Sequence, residues 1–389
     1  MRRLTAVLLA LGLAPALILG AFAVPAAAGS ADTTDFYAVP DPLPAAKPGS
    51  LIRAARMEAP AGARAWRVLY HSTAVDGRDI AVSGIVVAPT GRAPKGGRTV
   101  VSWAHGTTGV ADVCAPSKHP AAATSLPYVD DLIDAGYVVA ATDYEGLGTP
   151  GVHPYLVGES EGRGVLDAAR AARRLADSRA GRDLLVVGHS QGGHAALFAG
   201  ELARRYAPEL RLEGVAAAAP AADLDVILPA AAAIKQAAGF LIMASKGFQA
   251  AYPDADPASV LAPDAVAGAA IVDQACAPDV VRQFAGSTTD VLVRNPADTP
   301  PWPELIHASS AGNRPAGAPL LVVQGAADRL VVRGLTDAWV QKACAAGDTV
   351  DYRVYDGADH GGVIAAAHDD VVGWLAARAD GDAPRDTCP

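Results

Sequence analysis

The sequence predicts an α/β protein with a mostly parallel sheet, helices on both faces and an inserted helical cap. Short apolar segments alternate with helix-forming segments over most of the chain, which is typical of parallel strands joined by helices. Residues 188–192 read GHSQG at one strand-to-helix transition. About a hundred residues separate two later strands, whereas a crossover helix needs roughly a dozen, so the excess predicts a separate helical cap.

Composition and charge narrow the class of protein. The chain has 389 residues, of which 51% are hydrophobic and 19% charged, enough for one large domain or two smaller ones. Lys and Arg total 32 against 41 Asp and Glu, a formal net charge of −9. Because the sequence also contains no basic block, we expect no nucleic-acid partner.

The first residues predict export. Two arginines precede an apolar run over residues 4–24, and residues 26–28 are alanines that signal peptidase accepts. We therefore expect a signal peptide over 1–28, cleavage near Ala28 and a secreted mature chain. The apolar run is long enough that an uncleaved membrane anchor is the alternative.

The cysteines predict disulfides rather than a metal site. They are even in number, share no C-x-x-C spacing, and belong to a chain that we expect to be exported. Three pairings of the four are possible from their number alone. We expect neither a metal ion nor a cofactor. The four cysteines are Cys114, Cys276, Cys344 and Cys388.

The first part of the core is predicted over residues 29–221. Its residues 29–60 are rich in Pro, Ala and Asp and predict an extended N-terminal arm. Residues 66–71 and 80–88 predict antiparallel strands that open the sheet, and 99–104 predict a buried strand.

The remaining elements alternate until the predicted cap. Residues 222–316 combine apolar helical pieces with proline-rich turns and are too apolar for a disordered linker, so we expect the cap there. Residues 317–389 complete the core. Further strands are predicted over 137–142, 184–187, 215–219, 319–325 and 352–355, and helices over 126–135, 162–176, 334–346 and 362–378.

Ser190 is the predicted nucleophile. Its pentapeptide fits the G-x-S-x-G pattern, in which a strand turns sharply into a helix and leaves the serine hydroxyl exposed at the turn. Side chains at the two flanking glycine positions would collide in such a turn. The helix start also places the backbone N–H of Gln191 beside the reacting carbon, as one donor of an oxyanion hole.

His360 is the predicted base, because it lies in a loop directly after the last predicted strand. A base at this position gives the chain order Ser, acid, His. A histidine on a surface loop is the alternative. His189 and His194 flank the serine in sequence but are expected to pack beside the site, and His368, within the final helix, is expected to be structural.

Asp328 is the predicted acid, since it lies just past the end of a strand and can reach the far nitrogen of the base. Asp359 ranks second because it adjoins His360, and sequence neighbours point apart. The second oxyanion donor should come from residues 105–109, which follow a strand. Spacing does not decide between Thr107 and Thr108, and the hydroxyl of either could be a further donor.

With these residues placed, the chain resembles the secretory lipase family of the α/β-hydrolases, the lipase A type, from about residue 35 to its end. The resemblance implies an α/β-hydrolase fold, hydrolysis of lipid esters and a cap between the serine strand and the acid strand. It also implies disulfides joining Cys114 with Cys276 and Cys344 with Cys388. The matching segments are Ser102–Trp103, Cys114–Pro116, Thr142–Gly148, Leu166–Ala171 and Tyr206–Leu210.

The predicted activity is hydrolysis of carboxylic esters, as in a lipase or esterase, through an acyl-serine intermediate. A serine peptidase, an acyltransferase and a non-catalytic binding protein are the alternatives. The expected partner is a small-molecule or lipid ester, and transient contact with a lipid interface remains open.

The first half of the predicted cap is more apolar than one buried helix face requires. We expect part of it to line an acyl-chain tunnel leading to Ser190, although the cap helices could simply pack on each other. The apolar residues are Val226, Ile227, Leu228, Ile234, Phe240, Leu241, Ile242 and Met243, with Lys235 and Lys246 as nearby cations.

Overall fold

The computed structural model describes residues 35–231, 234, 237–285 and 290–389. Residues 36–389 form one unit, which contains all the elements given below. The predicted signal peptide over 1–28 lies outside the described residues, as does Lys235.

Within the described residues, nine strands form one sheet in the order β1-β2-β3-β5-β4-β6-β7-β8-β9. The first three strands and the β3–β5 pair are antiparallel, and every other neighbouring pair is parallel, which confirms the predicted mostly parallel sheet. The strands are β1 (Leu51–Met57), β2 (Ala63–Thr73), β3 (Asp79–Pro89), β4 (Arg98–Ala104), β5 (Val138–Thr142), β6 (Ala180–His189), β7 (Arg211–Ala218), β8 (Leu320–Gly325) and β9 (Val350–Tyr355).

Helices cover both faces of the sheet. Val186 of β6 packs in the cluster that contains α2, α3 and α9, whereas Leu185 and Val187 pack with α1 and α11. A parallel strand covered on both faces reads as a continuous apolar run, as β6 does. The helices are α1 (Val129–Asp134), α2 (Gly158–Arg174), α3 (Gln191–Tyr206), α4 (Leu224–Ala231), α5 (Ala238–Ala251), α6 (Pro263–Gly268), α7 (Ala277–Ala285), α8 (Trp302–Ala308), α9 (Arg333–Ala345), α10 (Val363–Ala366) and α11 (His368–Ala379).

Five of these helices, α4 to α8, lie between β7 and β8, and this stretch is called the insertion below. Most residues of one hydrophobic cluster, called the cluster of the insertion below, belong to the insertion, and among them Ile242, Met243 and Phe248 are completely buried. In the described part of the chain, no helix combines the length and the apolar character that crossing a bilayer demands.

The structure differs most clearly from the sequence prediction in the first strand and at the start of α2. Residues 51–57, placed in the extended arm, form the edge strand β1, whose mostly half-buried side chains give a weak apolar pattern. Helix α2 begins at Gly158 rather than at 162, although its apolar stripe starts later. Its first turn carries Glu159 and Glu161, which the helix dipole favours there.

Two disulfides join the pairs implied by the resemblance. Cys114, shortly after β4, bonds to Cys276, immediately before α7 of the insertion. Cys344 of α9 bonds to Cys388 at the end of the chain. The first therefore ties the insertion to the sheet, and the second ties down the C-terminal tail.

Candidate active site

The turn between β6 and α3 has the geometry that the pentapeptide predicts. Ser190 adopts a φ of +58°, and its N–H donates to Ala218 O at 2.9 Å. A Cβ at Gly188 would overlap Gly192 O, and a Cβ at Gly192 would overlap Ala104 O. Only glycine therefore allows the strand to turn into the helix at this distance from β4.

The structure brings Ser190, His360 and Asp328 together in one hydrogen-bonded series. His360 Nε2 lies 2.8 Å from Ser190 Oγ, and His360 Nδ1 lies 2.7 Å from Asp328 Oδ2. A neutral imidazole in this position accepts from the serine hydroxyl and donates to the carboxylate. The three side chains come from loops after β6, β8 and β9, which end at the same edge of the sheet.

Asp328 is held as a charged acceptor. Burial alone would raise the pKa of its carboxyl group, but the hydrogen bond with His360 and two backbone donors outweigh burial and lower that pKa below its ordinary value. The backbone donors are the N–H groups of Leu330 and Val331, which lie 2.8 and 3.0 Å from Asp328 Oδ1. The carboxylate therefore has a fixed orientation toward the imidazole.

Asp359, ranked second as the acid, bonds to a backbone N–H rather than to the base. Its Oδ1 accepts from the N–H of Gly362 at 2.7 Å, at the start of α10. Of the two candidate acids, only Asp328 reaches His360.

His189 contacts the base through the backbone. Its Nε2 lies 2.7 Å from the carbonyl oxygen of His360, and the two rings are 4.8 Å apart. Burial, together with the nearby His360, lowers the pKa of His189 to about 4, so the ring is neutral and donates from Nε2. From the sequence, His189 was expected to pack beside the site. Its contact with His360 was not predicted, because nothing in the sequence around His189 indicates which loop lies next to it.

A buried polar network lies behind the serine. Glu161 accepts from the side chain of Gln191 at 2.7 Å and lies 2.8 Å from His194 Nδ1. His194 Nε2 lies 2.7 Å from the carbonyl oxygen of Ser309, which follows α8 of the insertion. His153 Nε2 accepts from the same Gln191 side chain at 2.8 Å. The network thus joins the starts of α2 and α3 to the insertion.

The two candidate threonines both lie in the loop after β4 but have different surroundings. Thr107 lines the cavity that contains Ser190, whereas the carbonyl of Thr108 accepts from the N–H of Ala277 in the insertion at 2.8 Å. In the described part of the chain, the backbone N–H groups of Gln191, Thr107 and Thr108 have no hydrogen-bond partner. Of the two threonines, only Thr107 lines the cavity, so its N–H and that of Gln191, which adjoins Ser190, are free to bind an oxygen atom there.

The cavity beside Ser190 has a volume of about 150 Å³ and is bounded by the sheet edge and the insertion. Arg329 is the only charged residue among the described residues that line it. In that part of the chain, no group of three or more His, Cys, Asp or Glu side chains could hold a metal ion. The apolar side chains of its wall are Leu156, Ala221, Ile227, Leu228, Ala230, Ala231, Ile234, Ala237, Phe240, Leu241, Leu330, Val331, Val332 and Leu335.

The eight apolar residues singled out in the first half of the predicted cap lie in different surroundings. Five of the eight, including Phe240 and Leu241, line the cavity. Ile242 and Met243 are instead buried in the cluster of the insertion, and Val226 is exposed. Lys246 forms an ion pair with Asp273 at 2.7 Å.

Solved structures share this architecture, which is an α/β-hydrolase fold. Candida antarctica lipase A in its closed state superposes with a TM-score of 0.75 and 19% identity, covering 91% of this chain and 87% of that one. A ligand-bound form of the rice cell wall degrading esterase LipA from Xanthomonas oryzae has a TM-score of 0.71 and 18% identity, covering 87% and 100%. These similarities establish the fold.

The family follows from the sequence. The secretory lipase family matches residues 121–387, so the chain belongs to that family, as predicted. One relative, Lipase 6 of Candida albicans, is 28% identical over 242 residues, which cover 57% of this chain and 50% of that protein. The chain spans about half the length of the curated relatives it matches. Membership in a secretory family agrees with the predicted export.

Proposed function

We propose that this chain is a secreted carboxylic-ester hydrolase in which Ser190 is the nucleophile, His360 the general base and Asp328 the orienting acid. The observation that carries the proposal is their hydrogen-bonded series, in which Ser190 lines an apolar cavity. Membership in the secretory lipase family supports it.

In the first half of the proposed reaction, Ser190 Oγ attacks the ester carbonyl while His360 Nε2 takes the hydroxyl proton. The carbonyl oxygen becomes an oxyanion, and the carboxylate of Asp328 stabilises the imidazolium. Collapse of this intermediate breaks the bond to the alcohol, which leaves with the proton held by His360. The acyl group remains on Ser190.

In the second half, water repeats the sequence. His360 takes a proton from water, the hydroxide attacks the acyl carbon, and the acid product leaves as Ser190 regains its proton. We assign the backbone N–H groups of Gln191 and Thr107 to the oxyanion in both halves. The position of Thr107 in the cavity wall supports this choice over Thr108, which does not line the cavity.

The proposed substrate is an ester with an apolar acyl chain. The cavity wall supports this, since its side chains form few directional contacts and can accept a flexible alkyl chain. Residues that line the cavity and are also exposed offer a surface for transient contact with a lipid interface. These are Ile234, Leu330 and Val332.

The proposed organisation follows the sequence prediction. A signal peptide over 1–28 is removed near Ala28, and the core consists of 29–221 and 317–389. Residues 222–316 form the cap over the site. The positions of α4 and α5 at the cavity support this last assignment.

The test is a series of p-nitrophenyl esters of increasing acyl length, run beside aminoacyl-anilides on the purified mature chain. We expect ester hydrolysis that S190A reduces by a factor on the order of 10⁶ in kcat, with unchanged circular dichroism. Faster cleavage of anilides would indicate a peptidase instead, and ester transfer to an added alcohol would indicate an acyltransferase. A folded S190A variant that keeps a tenth of the activity would contradict the role of Ser190.

A further inference from the structure

The side chain of Thr107 forms a hydrogen bond with a tyrosine that has no part in the proposed reaction. The phenol oxygen of Tyr155 lies 2.8 Å from Thr107 Oγ1. Both residues line the cavity that contains Ser190. Tyr155 belongs to the segment between β5 and α2, so the contact joins two loops at the carboxyl edge of the sheet.

Chemistry and burial determine the direction of this hydrogen bond. A phenol is a stronger donor and a weaker acceptor than an aliphatic alcohol, because its hydroxyl is more acidic. Tyr155 is only 3% exposed, whereas Thr107 is half-buried. Burial also raises the pKa of Tyr155, so the phenol keeps its proton. The buried phenol proton therefore goes to Thr107, since a buried donor without an acceptor is costly.

We propose that Tyr155 is a positioning residue that turns the hydroxyl of Thr107 into a third hydrogen-bond donor for the oxyanion. Thr107 Oγ1 accepts from Tyr155 and is left with its own proton to donate into the cavity. An alcohol that accepts one hydrogen bond also becomes a better donor in another. The proposal rests on the proposed function, because the oxyanion forms only when Ser190 attacks an ester carbonyl.

The insertion holds Tyr155 in place. Tyr155 packs in the hydrophobic cluster of the insertion. Gly247 of α5 lies so close that a Cβ there would overlap the backbone nitrogen of Tyr155. The insertion therefore supports the oxyanion loop through Tyr155 as well as supplying part of the cavity wall.

Four variants test the proposal: T107V, T107S, Y155F and the double variant T107V/Y155F. We expect T107V to lower kcat on a p-nitrophenyl ester about 100-fold and to change KM by less than about threefold, because the third donor acts on the oxyanion. T107S keeps a hydroxyl and should recover most of the kcat that T107V loses. Y155F alone should lower kcat about tenfold. The double variant should have nearly the same kcat as T107V, since Tyr155 acts through Thr107.

Tyr70 provides the matched control. Its phenol is completely buried and donates to Thr142 Oγ1 at 2.8 Å, but Tyr70 does not line the cavity. Y70F removes the same kind of hydrogen bond elsewhere, so it should leave kcat unchanged even if it lowers Tm. The affinity of a boronic acid, which mimics the tetrahedral intermediate, should fall with T107V and remain with Y70F.

Two results would overturn the proposal. One is a T107V variant whose kcat stays within about threefold of wild type, because loss of an oxyanion donor should lower kcat far more. The other is an equal effect of Y155F with and without T107V. Labelling of Ser190 by a fluorophosphonate tests the proposed function independently. If the wild-type chain is labelled, either of the two results contradicts only the role of Tyr155 and Thr107. A wild-type chain with neither label nor ester hydrolysis would overturn both.

Discussion

The insertion contributes apolar side chains to the cavity, whereas the sheet edge contributes the hydrogen-bonded reactive residues as well as apolar side chains such as Leu330. At the sheet edge, hydrogen bonds of 2.8 and 2.7 Å join Ser190, His360 and Asp328. The insertion supplies apolar side chains such as Ile227 and Phe240, which make no directional contacts. Directional bonds fix the positions of atoms, whereas apolar contacts select by shape and size. Reaction chemistry and choice of acyl chain should therefore respond to different substitutions.

The two regions are also held in place differently. Helices α2 and α3 at the sheet have 17 and 16 residues and pack along its face. Among its described residues, the insertion consists mainly of helices with six to nine residues, and α5 is longer, with 14. Such short helices are marginal alone. The insertion therefore depends on its hydrophobic cluster and on the disulfide to the sheet.

The largest effect separates the two acids at the sheet edge. Asp328→Asn should lower kcat by roughly 10⁴, because it removes the carboxylate that orients His360 and stabilises the imidazolium. Asp359→Asn is the matched control, since the carboxylate of Asp359 accepts from the N–H of Gly362 and, in the described part of the chain, forms no hydrogen bond with His360. Steady-state kinetics on a p-nitrophenyl ester measure both. If Asp359→Asn proved the more damaging change, the assignment of the acid would be reversed.

The next effect compares the two disulfides. Replacing Cys344 and Cys388 by serine should lower the free energy of unfolding by about 4 kcal/mol for a separation of 44 residues, without changing kcat. Replacing Cys114 and Cys276, 162 residues apart, should cost about 5 kcal/mol and also lower kcat, because Thr108 binds the insertion next to this bond.

Denaturant unfolding and kinetics on the two double variants check this prediction, after peptide mapping without reductant has established the pairing in the protein. Equal loss of kcat in both variants would show that the insertion and the tail affect the site alike. A peptide joining Cys114 to Cys344 or Cys388 would contradict the pairing itself.

Acid should destabilise the folded chain through His153 and His189. Burial lowers the pKa of His153 and of His189 to about 4, from 6.5 in the unfolded chain. Between these values the unfolded state binds protons that the folded state does not, so stability falls as the pH falls from 6.5 toward 4. From pH 7 to pH 5, each histidine should remove about 2 kcal/mol. Unfolding of wild type and His153→Gln at both pH values tests this, and an identical pH dependence would contradict it.

The three candidate catalytic residues could be found from the sequence because the ends of strands determine where they lie. Ser190, Asp328 and His360 each follow a predicted strand, and parallel strands share one carboxyl edge, so their meeting was predictable. Contacts between loops were not, because no periodic pattern marks them. Tyr155 lies in an irregular segment, and Glu161 lies one residue before the predicted start of α2. Likewise, apolar composition did not distinguish Phe240 at the cavity from Met243 in the cluster.

The smallest effect of a substitution is expected in the insertion, on the preference for acyl-chain length. If the cavity binds that chain, kcat/KM should rise from acetyl to at least hexanoyl or octanoyl esters, by up to about fourfold per methylene, from roughly 0.8 kcal/mol per buried CH₂. Phe240→Asn should flatten this rise several-fold while slowing acetate hydrolysis little, because Phe240 lines the cavity but lies apart from the hydrogen-bonded residues.

Val226→Asn provides the control for this substitution. Val226 is an exposed apolar residue of α4 that does not line the cavity, so its replacement should leave the chain-length profile unchanged. The measurement is kcat/KM across the ester series for wild type and both variants. Activity that falls steadily from acetate onward, with the same profile in Phe240→Asn, would show that the insertion does not bind the acyl chain. Its apolar residues would then serve only to pack the insertion against itself.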